Sequence, residues 1–235
     1  DWRKLRRLLR FIKHTINDKR IIGADNLADL VTWIDVSYAV HPDARSHTGG
    51  AMSFGRGILH HISTKQKLNV KSSTEGEVVG MSDYVPYNVW LRMFLEAQGY
   101  YLKTNVIYQD NQSAIRMEKN GRNSCTGNSR HIHTRYMFCK DRISKKEFSI
   151  EYCPTEIMLA DYYTKPLQGE LFIRFRRVIM GWDHINVLRE FLKQSKERVG
   201  KMDNLQKSSH ELKPSYADVT RKSVQQQAAA MTTVA

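Results

Sequence analysis

The chain has 235 residues, 41% of them apolar and 10% aromatic, which is enough to bury a core and excludes wholesale disorder. Its 37 Lys and Arg against 24 Asp and Glu leave a formal net charge of +13, pointing to a polyanionic partner such as nucleic acid or an acidic membrane face. No apolar run approaches the roughly 18 residues of a membrane span, so the chain is not expected to cross a membrane. The three cysteines, Cys125, Cys139 and Cys153, form no CxxC pair. That excludes a disulfide framework and a zinc site, and fits an intracellular setting with no disulfide-linked partner. The opening Asp1-Trp2-Arg3-Lys4 carries neither an initiator Met nor a signal peptide, as expected of a piece cut from something longer.

Residues 1–17 place Trp2, Leu5, Leu9, Ile12 and Ile16 at steps of three or four, a helical apolar face among basic residues. Leu30 to Val40 is rich in Val, Ile, Trp and Tyr and reads as a strand holding one acid, Asp35. Glycines at 49–50 and 55–57 frame two more short strands, near Ala51–Phe54 and Ile58–Ser63, giving a three-strand meander. Ser72-Ser73-Thr74 opens a helix toward Gln98-Gly99, which Pro86 is expected to kink or interrupt. Val106–Gln109 reads as a buried strand, and Asn111–Lys119 as a short helix stopped by Gly121. A polar loop, Gly121–Asn128, precedes a helix over His131–Ile143. Phe148–Cys153 alternates as a strand that Pro154 breaks. Helices follow over Thr155–Tyr163 and Glu170–Met180. The order implies an α/β layer fold, a mixed sheet with crossover helices. From Lys193 the composition turns polar and ends in Gln and Ala runs, so the last 35 or so residues are expected to be poorly ordered.

Four acids occupy positions where a solvated carboxylate is not the default. Asp35 lies within a strand, Glu77 in the first turn of the long helix, Asp110 at the end of the fourth strand and Asp161 in the helix after the last strand. Clustered carboxylates repel one another unless cations join them, and hard divalent ions prefer such oxygen ligands. Two ions about 4 Å apart would clamp a phosphate and ready a water for in-line attack. Each acid also has a purely structural reading. Glu77 follows Thr74 by three, and Glu75 follows Ser72 by three, so either completes a capping box. Asp110 can cap the helix after it, and Asp161 can be an ordinary first-turn acid. Asp35, in an apolar strand, is the hardest to explain structurally.

Four segments stand in order: Asp35-Val-Ser-Tyr-Ala, Ser72-Ser-Thr-Glu-Gly-Glu77, Tyr108-Gln-Asp110-Asn-Gln-Ser-Ala, and Leu159-Ala-Asp161-Tyr-Tyr-Thr-Lys-Pro-Leu167. Ser129-Arg-His-Ile-His-Thr-Arg135 joins the last two. Together they resemble the ribonuclease H domain of copia-type LTR retrotransposon polyproteins. The resemblance implies a ribonuclease H-like mixed five-stranded sheet flanked by helices over residues 28–181. It makes residues 1–27 a connecting segment after an absent polymerase domain, and residues 182–235 a basic, largely disordered tail. It implies that Asp35, Glu77, Asp110 and Asp161 bind two Mg²⁺ (or Mn²⁺) ions and hydrolyse the RNA strand of an RNA–DNA hybrid. Glu77 rather than Glu75 fits the family's Glu-x-x-Ala stretch, although Gly80 replaces the Ala, a change expected to weaken the helix slightly. The loop Pro154–Ala160 lacks the mobile His of cellular ribonucleases H.

Ser37 and Thr74 are candidate RNA contacts beside the acids, and Arg130 and Arg135 are candidate phosphate contacts. His131 and His133, two apart on a helix, point to different sides and make a poor ligand pair. The implied partners are an RNA–DNA hybrid and the polymerase portion of the same polyprotein, in a cytoplasmic particle or the nucleus. Two other readings stand beside this one. The first is a catalytically inactive nucleic-acid-binding remnant of such a polyprotein. The second is another two-metal nuclease such as an integrase core, which usually rests on three acids with a late Glu.

Overall fold

The structure, a computed structural model, describes residues 1–120 and 138–193. The expected polar loop Gly121–Asn128, the candidates Arg130 and Arg135, and His131 and His133 lie outside the described residues. The chain divides into two compact units, Asp1–Arg189 and Glu190–Ala235. In the second, only residues 190–193 are described, and they are helical.

The first unit is an α/β fold built on a mixed five-stranded sheet flanked by helices. Its elements are α1 (Trp2–Thr15), β1 (Gly23–Ala24), β2 (Asp29–Ser37), β3 (His47–Ser53), β4 (Gly55–Arg56), β5 (His60–Lys65), α2 (Ser73–Ala97), β6 (Thr104–Gln109) and α3 (Gln112–Asn120). After the undescribed stretch come α4 (138–144), β7 (Ser149–Tyr152), a 3-10 turn (Thr155–Ile157), α5 (Asp161–Thr164) and α6 (Gly169–Ile179). The sheet order is β5-β3-β2-β6-β7. β2, β3 and β5 form the expected antiparallel meander, while β6 and β7 continue in parallel with β2. β1 and β4 make a separate two-stranded ribbon.

The central strand β2 is buried on both faces, which explains its near-continuous apolar run. On one face α2 lays Met81, Tyr84, Val85 and Val89 against the sheet, with Leu30, Ile34, Met52 and Ile107 beneath, while Val78 packs with Ala114 of α3. On the other face lies α5, against β3 and β2. α2 is a single helix that continues through Pro86, so the expected interruption does not occur. Pro86 is exposed, so the carbonyl that its missing N–H would have bonded lies on the solvent side and the loss is tolerated there. The single helix expected over Thr155–Tyr163 is instead a 3-10 turn and a separate four-residue helix. The buried residues Met158, Leu159 and Ala160 lie between them.

Gly80 does not simply weaken α2. A Cβ there would stand 2.5 Å from Val36 Cγ2 and 3.3 Å from Thr48 Cγ2, so its absence lets the helix sit close on the sheet. Val36 is β-branched and cannot easily turn aside.

Residues 182–188, expected from sequence to belong to the tail, make several contacts with the body. Trp182 Nε1 donates to the Lys19 carbonyl at 2.8 Å, and the Ile185 amide donates to Gly55 O at 3.0 Å. Asp183 pairs with Arg177, His184 pairs with Asp25, and Leu188 is only 2% exposed. Gly181 takes φ +72°, and a Cβ there would meet the Ile21 carbonyl at 2.0 Å.

This packing has two measurable consequences. Gly80→Ala should lower stability by about 1–3 kcal/mol in urea unfolding, because overpacking outweighs the gain in helix propensity. A chain ending at Gly181 should melt several degrees below one ending at Lys193, since it loses the Trp182 and Leu188 contacts; calorimetry of the two truncations measures the difference.

Candidate active site

The parallel pairing of β2 and β6 aligns Trp33 with Tyr108. Two residues further in the same register, Asp35 and Asp110 stand side by side at the carboxyl ends of both strands. Asp35 is buried and Asp110 is partly buried. Asp110 is free to point into the site because its neighbour caps the helix: Asn111 Oδ1 accepts from the Ala114 amide at 3.0 Å.

The start of α2 resolves the choice between its two glutamates. Ser72 is the N-cap, and its hydroxyl accepts from the Glu75 amide at 3.1 Å. The Glu75 carboxylate reaches back to the Lys71 amide. Glu75 therefore serves the cap in a partly buried position, while Glu77, half a turn on, is 4% exposed and faces the sheet end. One carboxylate oxygen from each of Asp35, Glu77 and Asp110 lies within 4.8 Å of the others.

Asp161 begins α5 and is 1% exposed. It is not one of the three mutually close acids, and its carboxylate is engaged by Lys165. The Lys165 Nζ lies 2.7 Å from Asp161 Oδ1 and 3.6 Å from Asp35 Oδ1. Thr164 Oγ1 donates to Asp35 Oδ2. Ser37 Oγ donates to the Thr164 carbonyl at 3.0 Å, so its proton is spent holding α5 to β2. Thr74 lies in the first turn of α2 and is partly buried.

The electrostatics are those of crowded acids. Burial, then the charges of Asp35, Asp110 and Glu118, push the Glu77 pKa well above the usual glutamate range. Burial and Asp35 also raise Asp110, with Lys165 opposing. Asp161 is raised to about 7 by burial and Asp35, against the hydrogen bond and charge of Lys165. Burial works against the Lys165 ammonium, but Asp35, Asp161 and Asp110 outweigh it and hold its pKa above the usual lysine value.

A divalent cation fits this arrangement. Glu77 Oε2 is buried with no hydrogen-bond partner. With the nearby oxygens of Asp35 and Asp110 it forms an all-carboxylate donor set of the kind that hard cations select. Asp35, Glu77 and Asp110 would hold such an ion, and Asp161 is joined to Asp35 through Lys165.

Sequence reasoning overlooked two groups. Lys165 was legible as an i,i+4 partner of Asp161, a spacing that places the two on one helical face. Glu118 on α3 is fully buried, and neither of its oxygens has a hydrogen-bond partner among the described residues. Nothing in its sequence context sets it apart from a surface acid.

No family model matches the chain. It is 28% identical over 172 residues to the Retrovirus-related Pol polyprotein from transposon TNT 1-94 of Nicotiana tabacum, covering 73% of this chain and 13% of that one. It is 27% identical over 170 residues to the Transposon Ty1-JR1 Gag-Pol polyprotein of Saccharomyces cerevisiae, covering 70% and 10%. Its relatives are transposon Pol polyproteins. The chain spans only about an eighth or less of the curated Pol polyproteins it matches. Among solved structures it is similar to LC11-RNase H1, isolated from compost, with TM-score 0.42 and 11% identity, covering 58% of this chain and 92% of that one.

Burial raises the Glu118 pKa well above its usual value of 4.5, so the folded protein holds this proton more tightly than the unfolded chain does. Its stabilising contribution is complete below pH 4.5 and is lost as pH rises toward the folded-state pKa. Glu118→Gln should remove that loss. Its melting temperature should exceed wild type by about 2–4 °C for each kcal/mol relieved at pH 8, with the gap closing toward pH 4.5. Thermal unfolding across that range checks both sign and slope.

Proposed function

We propose that this chain is the ribonuclease H-type nuclease segment of a transposon polyprotein, hydrolysing the RNA strand of RNA–DNA hybrids during reverse transcription. The observation that carries the reading is the convergence of Asp35, Glu77 and Asp110 from three separate elements, with Glu77 Oε2 left unpartnered. Similarity to Pol polyproteins supplies the setting, in which the polymerase portion of the same polyprotein would deliver the hybrid.

In this reading Asp35, Glu77 and Asp110 would hold one Mg²⁺ or Mn²⁺, and Asp161 with Asp35 would hold a second. Bound there, the ions supply a nucleophilic water near neutral pH and charge neutralisation at the scissile phosphate. The protein's own part is positioning. The β2–β6 pairing fixes Asp35 against Asp110. The α2 N-terminus delivers Glu77 past its own cap. Thr164 orients Asp35 through its hydroxyl, and Ser37 keeps α5 in place. The net charge of +13 supplies the attraction for a polyanionic duplex. Arg130 and Arg135 remain candidate phosphate contacts, and Thr74 a candidate RNA contact. We assign the catalytic unit to residues 28–189 and the basic tail to residues 190–235.

Mg²⁺-dependent cleavage of the RNA strand in a labelled hybrid tests the proposal, with single-stranded DNA left intact. Asp110→Asn keeps the shape but removes a charge that the ions require. It should lower the rate about a hundredfold or more while hybrid binding, measured by anisotropy, survives. Undiminished cleavage by Asp110→Asn would exclude the mechanism. Hybrid binding without cleavage by wild type would favour the inactive, nucleic-acid-binding remnant.

A further inference from the structure

We propose that Lys165 is a displaceable counter-ion that closes the Asp161 half of the metal centre in the free protein. The inference rests on the metal-dependent reading above and deepens it. Of the four acids, Asp35, Glu77 and Asp110 present mutually close oxygens, and Asp161 is left out of the set. Its partner lies four residues along the chain. The Lys165 ammonium is 2.7 Å from Asp161 Oδ1 and 3.6 Å from Asp35 Oδ1, so it spans the two carboxylates that a second ion would share. A divalent ion bound to Asp161 Oδ1 and an ammonium at hydrogen-bond distance from the same oxygen compete for the same lone pairs.

The arrangement is asymmetric, and the asymmetry supports displacement. No ion pair to Glu77 is found among the described residues, and one of its carboxylate oxygens is unpartnered. The Asp161 side is neutralised from within. The Lys165 side chain is 35% exposed, whereas those of Asp35 and Asp161 are 2% exposed, so the ammonium has a way out that the acids lack. Lys165 also lines a groove of about 450 Å³ with Lys4, Arg7, Phe11, Tyr162 and Phe172. Once displaced, a flexible four-carbon stem can carry the charge to that groove.

A cation a few ångströms from a divalent ion opposes its binding even at the effective dielectric of a protein surface. Removing the charge should therefore open the second position. Calorimetric titration with Mn²⁺ in the absence of nucleic acid reads this directly, without any cleavage step. Wild type should bind one ion well and a second weakly. Lys165→Met should bind the second at least about tenfold more tightly, and Lys165→Arg, which keeps the charge, should behave as wild type. Asp161→Asn combined with Lys165→Met should abolish the gain. Should Lys165→Met not fold cooperatively, Lys165→Gln carries the test, since it can still hydrogen-bond Asp161 without a charge. Identical isotherms for wild type and the uncharged variants would overturn the proposal, as would a gain that survives Asp161→Asn. Failure of every variant to bind any Mn²⁺ would instead overturn the metal-dependent reading on which it stands.

Discussion

The parallel pairing of β2 with β6 is the constraint on which the rest depends. Parallel neighbours cannot be joined by a tight turn, so the chain must leave the sheet and cross over. Here the path runs through β3, β5 and α2 before β6 returns to the other side of β2. That crossover covers one face of the sheet and places the N-terminus of α2 beside the carboxyl ends of the strands. The register then sets Asp35 beside Asp110, and Glu77 meets them from above. A slip of one residue in β2 would turn Asp35 toward the α2 face and disband the cluster.

Holding these acids together has an electrostatic cost that the fold meets in different ways. Glu77 and Asp161 have raised pKa values, and Lys165 supplies a positive charge inside the cluster. The Thr164 hydroxyl satisfies one oxygen of Asp35. Strain of this kind is typical of sites prepared for a ligand of opposite charge, because a core built only for stability would use apolar residues there. Glu118 is a separate case: it is buried without a cation or donor among the described residues, and its neutral form is the one the interior favours.

Close approach governs the packing as firmly as charge. α2 can lie low on β2 because Gly80 offers no Cβ toward Val36. The same helix tolerates Pro86 because that turn faces water. A glycine and a proline that both look like helix defects in one dimension have opposite meanings here. One faces the sheet and is required there; the other faces solvent and does little harm.

Much of the architecture was legible in the sequence because it rests on local periodicity. The β2 run, the meander glycines, the α2 start and the β6 pattern all report short-range backbone preferences and one-sided burial. The order of the acids within their motifs was legible too, since each lies next to a recognisable element end. What only the tertiary structure decided are the choices between neighbours. Ser72 and Glu75 form the cap, which frees Glu77 for the site; Asn111 caps α3, which frees Asp110. Thr155–Tyr163 splits because Met158, Leu159 and Ala160 are buried between its two halves. Lys165 turns inward to Asp161 and Asp35 rather than out to solvent. Each of these depends on partners brought in from distant parts of the chain, and local sequence holds no information about which partner will arrive.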